Sequence, residues 1–324
     1  MKAQLCEVLG APDVLRYTDV DEPTPGPDEV LVEVHAAGVN FPDGLVVSGN
    51  YQTKPALPFV PGSEAAGVVR AVGANVTGFE IGSRVLVFCS MGGYAEQVAV
   101  PATMVFSIPD SMSYVDAAGF VVTYATSYHG LVDKADLAPG ETLLVLGASG
   151  GVGLTAVEIG KALGATVIAA ASSPDKLEVC RDHGADELID YTADDLKKRI
   201  AESAPGGVDV VYDPVGGDHA LTAVRALAWG GRYLTVGYAS GDIPKVGMNR
   251  LLVNSGALHG VLWGAWAKRN PDLNADNMGR LFDWYDRGRL RPHVSATYPL
   301  ADASAALEVV MGRRARGKVV LTSR

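Results

Sequence analysis

One segment constrains the fold more than any other: TLLVLGASGGVGLTAVEIGKALGATV, from Thr142 to Val167. The run TLLVLG is nearly all apolar, as suits a strand covered on both faces of a parallel sheet. Glycines then crowd positions 147, 150, 151 and 153, where a chain can reverse tightly. GVGLTAVEIGKALG follows with apolar residues at helical spacing and stops at Gly164, and TVIAAA supplies a second strand by Ala171. The segment therefore predicts strand, sharp turn, helix and strand within about 30 residues, the repeating unit of a doubly wound parallel sheet.

Two chemistries use such a turn. Gly147-Ala148-Ser149-Gly150-Gly151 satisfies G-x-S-x-G, in which an exposed serine, here Ser149, attacks an ester carbonyl. The same residues carried on to Gly153 give A-x-G-x-x-G at Ala148, Gly150 and Gly153, a turn that cradles a dinucleotide pyrophosphate. Four features favour the second. The serine motif does not require Gly153, whereas a nucleotide turn uses it for helix packing and Gly150 for backbone approach to phosphate. The unit closes as a βαβ of the expected length. The preceding half is rich in valine, glycine and proline, with alternating stretches such as EVLVEVHAAGV, where a hydrolase sheet would already alternate strands and helices. Finally, a triad needs a later Asp and then a His; Asp213 and His259 come in that order, but neither has a distinctive context. The expected phosphate site is Ala148, Ser149, Gly150, Gly151, Val152 and Gly153, with Ser149 a turn residue and not a nucleophile.

The end of the second strand bears on cofactor choice. NAD sites place an acidic residue there, about 20 residues past the glycines, to bind the adenosine ribose hydroxyls. Here the strand ends in Ser172-Ser173, with Lys176 just beyond. Two hydroxyls and an ammonium suit a 2′-phosphate, which a carboxylate would repel, and this points to NADPH. The plainer alternative is that Ser173 caps the helix and Lys176 is solvated; Asp175 fits the helix's positive N-terminus.

The remaining composition bounds the class. At 324 residues the chain is long enough for two domains, and its net charge of −10 argues against nucleic acid or anionic membrane as a partner. Cys6, Cys89 and Cys180 are scattered without a CxxC pair, which fits a reducing compartment. MKAQLCEVLGAPDVLRYTDVDEP lacks the apolar core of a signal peptide, and no charge-free run approaches the ~18 residues of a membrane span, so a cytoplasmic protein is expected. The six histidines show no metal-binding spacing. Up to about Pro109 the pattern is one of short strands; from Ser111 to Val132 it turns helical, with Ser113 able to cap the start. After Pro139 strands and helices alternate, and GKVVL closes the chain as a strand.

Several stretches together resemble the medium-chain dehydrogenase/reductase superfamily: AAGVNFPDGLVVSGNY, PFVPGSEAAGVVRAVGANVTGFEIGSRV, GASGGVG, GYASG and GKVVL. Within it the chain looks most like the zinc-free NADPH:quinone oxidoreductases, the relatives of zeta-crystallin. The resemblance implies an α/β fold: a GroES-like β-rich catalytic domain over 1–120 and 264–324, and a Rossmann doubly wound parallel-sheet domain over 121–263. It also implies a homodimer and an acceptor site between the domains. Zinc-dependent members carry a cysteine and a histidine where this chain has Asn40 and Ser63, which leaves Glu64 without metal-binding companions, so no metal is expected.

The resemblance further assigns residues. Asn40 and Tyr51 match polar positions near the nicotinamide and would give hydrogen bonds to oxygen as charge develops there. Thr123 and Thr126 match the segment touching the nicotinamide half and phosphates, Tyr191 the tyrosine beside the adenosine phosphate, and Gly216, Gly237 and Tyr238 the loops bordering ribose and nicotinamide. Val261 matches the segment facing the carboxamide, and Lys318 the basic residue of the closing strand. The implied activity is metal-free hydride transfer from NADPH to a quinone. Reduction of the C=C bond of an enal, enone or acyl thioester is the rival with the same cofactor, and a non-catalytic NADPH-binding protein is the alternative from another class.

Overall fold

The computed structural model describes residues 1–323, which fall into two compact units. The first comprises Met1–Val122, Gly264–Asp286 and the chain from Pro292 onward; the second comprises Thr123–Trp263 with Arg287–Arg291. It is an α/β architecture with a GroES-like β-rich unit and a Rossmann-like parallel-sheet unit.

The first unit is organised by the long strand Glu29–Val39. Its Val30, Val32, Val34 and Ala36 alternate into the core, as the period of two predicts. This strand pairs antiparallel with Glu64–Val72, with Gln97–Pro101 and with the closing strand Lys318–Thr322, inside a seven-stranded sheet. The register Val319↔Val39 brings Lys318 next to Asn40, although 278 positions separate them in sequence. Gly38 is needed in the same strand. A Cβ there would lie 2.2 Å from the Ala118 carbonyl oxygen and 2.4 Å from Glu64 Oε1. The strand runs into a short helix, Phe41–Val47, at whose third position the Asp43 side chain accepts from the Asn40 backbone N–H at 2.9 Å.

The helical pattern after Ser111 is broken in the structure. Ser113 caps Tyr114–Ala118 by accepting from the Asp116 N–H, and a second helix, Val121–Tyr128, passes into a π-helical turn at His129–Lys134. The interruption falls at Gly119, where a Cβ would sit 3.1 Å from the Lys318 side chain, closer than ordinary contact.

The second unit is built on a six-stranded, wholly parallel sheet. Its spatial order is Glu187–Asp190, Thr166–Ala171, Thr142–Leu146, Val208–Asp213, Leu227–Thr235, Ala257–Gly260. Counted along the chain this is 3-2-1-4-5-6, the order in which the winding direction reverses between the first and fourth strands. Leu143, Leu144, Val145 and Leu146 are fully buried, as expected for a strand covered on both faces. Helices Gly151–Ala162, Pro174–Asp182, Leu196–Ser203 and Asp218–Arg225 connect the strands. Among the described residues no helix is long and apolar enough to cross a membrane.

Candidate active site

In the parallel-sheet unit the strand order reverses between Thr142–Leu146 and Val208–Asp213, and it is at the carboxyl ends of strands flanking such a reversal that these sheets bind ligands. The glycine turn stands there. Gly147 has φ +59°, and its missing side chain makes room for Val215, whose Cγ2 would lie 2.6 Å from a Cβ. Gly153 lets the helix press on the turn: a Cβ would meet the Gly147 carbonyl oxygen at 2.3 Å. Gly150, by contrast, has only that same oxygen near it, at 3.4 Å, so its outer flank is open. Gly151, Val152 and Gly153 occupy the first turn of the 12-residue helix Gly151–Ala162, where backbone N–H groups have no intrahelical acceptor. Such unpaired donors, together with the helix dipole, favour an anion at a helix N-terminus.

Ser149 is not held as a nucleophile. It has no left-handed φ, and its hydroxyl bonds to no described residue. Asp213 is fully engaged: Oδ1 accepts from the N–H groups of Val215 at 2.7 Å and Gly216 at 2.9 Å, and Oδ2 from the Tyr233 hydroxyl. Its task is to shape the 214–217 loop, in which Gly216 takes φ +70°. His259 lies on the edge strand Ala257–Gly260 and does not bond to Asp213. Among the described residues no serine triad is assembled around Ser149.

Lys176 Nζ donates to Ser172 Oγ at 3.0 Å, which gathers an ammonium and a hydroxyl at the end of the second strand. Ser173 occupies the N-cap position of helix Pro174–Asp182 but makes no side-chain capping bond, so the plainer role considered for it is not taken up. Tyr191 follows the third strand, its N–H bonded to the Ala171 oxygen at 3.1 Å and its ring tilted against His219 with centroids 4.4 Å apart. Gly237 and Tyr238 follow the fifth strand and Val261 the sixth; the Tyr238 hydroxyl accepts from Thr235 Oγ1 at 3.2 Å. Thus the sheet-borne residues expected at the nucleotide follow the carboxyl ends of all six strands of one sheet.

Thr123 and Thr126 lie on helix Val121–Tyr128, Thr123 buried and Thr126 half-buried. Sequence reasoning missed the residue beside them, Ser127. Its Oγ bonds to the Val152 oxygen at 2.9 Å, to Thr155 Oγ1 at 2.8 Å and to the Tyr212 hydroxyl at 2.9 Å. This hydroxyl cluster ties the first turn of helix Gly151–Ala162 to its neighbours. Glu158, further along that helix, accepts from Tyr124 at 2.5 Å and pairs with His183 Nδ1 at 2.7 Å.

The β-rich unit holds a second polar centre, almost wholly buried. Lys318 Nζ donates to Glu64 Oε1 at 2.7 Å, Asn40 Oδ1 at 2.8 Å and the Val39 oxygen at 3.1 Å. Asn40 Nδ2 donates to Glu64 Oε1 at 2.9 Å and to Ser63 Oγ at 3.3 Å, while Glu64 Oε2 accepts from the Val122 N–H at 2.9 Å. This geometry bears on two of the residues expected at the site. Lys318 has all three ammonium protons committed inside this unit. Asn40 has no unused amide proton to offer an acceptor oxygen. Tyr51 differs: it is half-buried, and its hydroxyl has no hydrogen-bond partner among the described residues. Burial and the nearby Asp43 carboxylate push the Tyr51 phenol up, so it stays a proton donor near neutrality.

Asp43 was not singled out from the sequence. Its Oδ2 accepts from the Asn40 N–H and from the buried Tyr94 hydroxyl, both at 2.9 Å. Burial pushes its carboxyl up to about 6, against the pull of the Asn40 N–H, the Tyr94 and Ser63 hydroxyls and the Lys318 charge.

The donor set at Asn40, Ser63 and Glu64 does not fit zinc. It offers an amide, a hydroxyl and a carboxylate already paired with an ammonium, where zinc takes thiolates, imidazoles and free carboxylates. Among the described residues no group of three or more His, Cys, Asp or Glu is gathered as a metal would need.

A GroES-like unit joined to a Rossmann sheet with a glycine turn at its reversal defines a pyridine-nucleotide dehydrogenase or reductase. Residues 26–110 match the alcohol dehydrogenase GroES-like domain, and residues 183–321 match the family described as zinc-binding dehydrogenase. The chain is 37% identical to the quinone oxidoreductase-like protein 2 homolog of Nematostella vectensis, covering 100% of this chain and 89% of that one. It is 36% identical to a quinone oxidoreductase of Pseudomonas aeruginosa, covering 96% of each. The crystal structure of Escherichia coli quinone oxidoreductase complexed with NADPH superposes with a TM-score of 0.93 at 30% identity, covering 99% of this chain and 100% of that one. The chain belongs to the medium-chain dehydrogenase/reductase superfamily, among oxidoreductases of the quinone oxidoreductase type.

Proposed function

We propose that this protein reduces a quinone at the expense of NADPH, without a metal. The observation that carries the reading is the pairing of Lys176 with Ser172 at the strand end, beside a glycine turn whose helix amides face outward. Those groups would hold the 2′-phosphate and the pyrophosphate respectively. Bound NADPH supplies the hydride. A quinone takes it with one proton and becomes a hydroquinone, and its oxygens accept the charge without Lewis-acid help. Tyr51, an unengaged phenol that keeps its proton, would donate a hydrogen bond to the oxygen where that charge develops. Relatives with quinone oxidoreductase in their names and a neighbour crystallised with NADPH support the same reading.

Two further parts belong to the proposal. The edge strand Ala257–Gly260 exposes Leu258, and Leu262, Leu252, Val253 and Trp229 are also exposed on this unit, which supports a homodimer formed along that edge. Three free, scattered cysteines support a cytoplasmic setting.

The test is steady-state oxidation of NADPH and NADH across a panel of quinones and enals. Turnover of quinones with NADPH well above NADH supports the proposal. Turnover of enals alone would replace the quinone by a conjugated alkene. NADPH binding with no turnover of either would make this a binding protein.

A further inference from the structure

We infer that His219, braced by Tyr191, forms the wall against which the adenine base of the cofactor lies, a role that rests on the dinucleotide site proposed at the glycine turn and the Ser172–Lys176 pair. The two rings meet with centroids 4.4 Å apart and planes tilted by 39°. That contact spans a wide interval of the sheet. Tyr191 follows the third strand, at one edge, and His219 is the second residue of helix Asp218–Arg225, after the fourth strand. The spatial order puts the second and first strands between them, a span of about 14 Å at the usual strand spacing. The two side chains therefore reach toward each other across the ends of those strands, the ends that lead into Ser172 and the glycine turn. Tyr191 also packs on a core cluster that includes Leu196, Ile200, Ala220 and Val224 of helices Leu196–Ser203 and Asp218–Arg225. No described residue of Gly151–Ala162 or Pro174–Asp182 belongs to that cluster, so the ring pair flanks the strand ends on the face opposite the glycine-turn helix.

The position fits a purine. In NADPH the ribose carbon that bears the base is bonded directly to the carbon that bears the 2′-phosphate, so a phosphate held by Lys176 and Ser172 sets the base beside them. Tyr191 stands at the neighbouring strand end: its N–H bonds to the oxygen of Ala171, the residue before Ser172, at 3.1 Å. Both rings are half-buried, and among the described residues the His219 imidazole has no hydrogen-bond partner, so no polar contact claims it. Its backbone, by contrast, is set firmly. Gly217, with φ +64°, is the N-cap of its helix and donates its N–H to the Asp242 oxygen at 3.1 Å, and Asp213 shapes the loop before it. An aromatic ring held this way offers a base a flat, partly desolvated surface, and stacking on it needs no charge. His219 is thus a contact for the part that NADPH and NADH share, whereas Lys176 addresses the phosphate that distinguishes them.

The experiment titrates adenosine 2′,5′-bisphosphate, the adenosine half of NADPH without its nicotinamide, into the full chain by calorimetry. His219→Ala should weaken its binding by about fivefold to a hundredfold, the range that base–aromatic stacking spans, and His219→Phe should stay within about threefold of wild type. Because the base is common to both cofactors, the ratio of the KM values for NADH and NADPH should change by less than about twofold in His219→Ala. Thermal melting checks that each variant folds. A second measurement needs only the wild type: nuclear Overhauser contacts between adenine H2 or H8 of the bound bisphosphate and the ring protons of His219. Equal binding by wild type and His219→Ala, a His219→Phe as weak as His219→Ala, a loss confined to NADPH, or the absence of those contacts would each overturn the inference. A wild type that binds neither the bisphosphate nor NADPH would instead remove the dinucleotide site on which it rests.

Discussion

Replacing Asp43 by Asn should abolish one identifiable component of the protein's pH-dependent stability. The carboxyl is pushed up to about 6 from an ordinary 3.8, chiefly by burial. Between those two values the folded chain keeps a proton that the unfolded chain has released. The stabilisation is therefore fully present below about pH 4, declines as pH rises through the window, and is gone above about pH 6. A shift of about two units corresponds to about 3 kcal/mol at 1.36 kcal/mol per unit. The Asn side chain can keep the structural bonds, because the Asn40 N–H and the Tyr94 hydroxyl both donate to the same oxygen, Oδ2.

Urea unfolding of wild type and Asp43→Asn at intervals from pH 4 to pH 8 measures the effect. Moving from pH 4 to pH 8, the variant should gain on the wild type by up to about 3 kcal/mol, with the change concentrated between about pH 4 and pH 6. Parallel curves for the two proteins would refute the reasoning, because they would show that Asp43 does not titrate differently in the folded chain. A change of the opposite sign would show instead that Lys318 and the hydrogen bonds to Asp43 outweigh its burial.

Three further outcomes follow from the nucleotide and phenol sites. Lys176→Ala should raise the KM for NADPH by about ten- to a hundredfold, nearer the lower end for a half-exposed group, while scarcely changing that for NADH. Ser172→Asp should reverse the preference, and equal weakening of both cofactors by Lys176→Ala would reduce that lysine to a surface residue. Gly153→Ala must displace the Gly147 oxygen from 2.3 Å, so calorimetric titration should show NADPH affinity largely lost and melting should show a destabilised fold. Tyr51→Phe should lower kcat toward quinones by about tenfold or more with cofactor KM unchanged, and an unchanged kcat would remove the phenol from the mechanism.

The glycine turn and the parallel sheet around it were legible in the sequence because their determinants are local. Gly147, Gly150 and Gly153 sit within one turn, and each answers a constraint set by atoms a few residues away: a positive φ, an open flank, a helix pressed on a carbonyl. The strand-end pair of Ser172 and Lys176 is one helical turn apart and could be read the same way. The hydroxyl of Ser127 could not, since two of its partners, Thr155 and Tyr212, lie 28 and 85 positions away and are brought in only by the packing of helix on sheet.

The β-rich half shows a different limit, and Lys318 is the instance. Lys318 is assigned to the cofactor only by its resemblance to the basic residue of the family's closing strand, and lysines are seldom fully buried. Yet the closing strand has burial on both faces, with Lys318, Val319, Val320 and Leu321 all inside, so the period of two that would have assigned a face is absent. What decides its role is a strand register that sets it 254 positions from Glu64 and 2.7 Å away in space. The same register uses up the amide of Asn40, which by its motif alone looked available for chemistry. Tyr51 remains as the available donor, because it lies in a loop and nothing in the sheet claims its hydroxyl. In this chain, then, the polar residues matched by motif divide according to whether long-range pairing has already satisfied them, and only those left unsatisfied can act on a substrate.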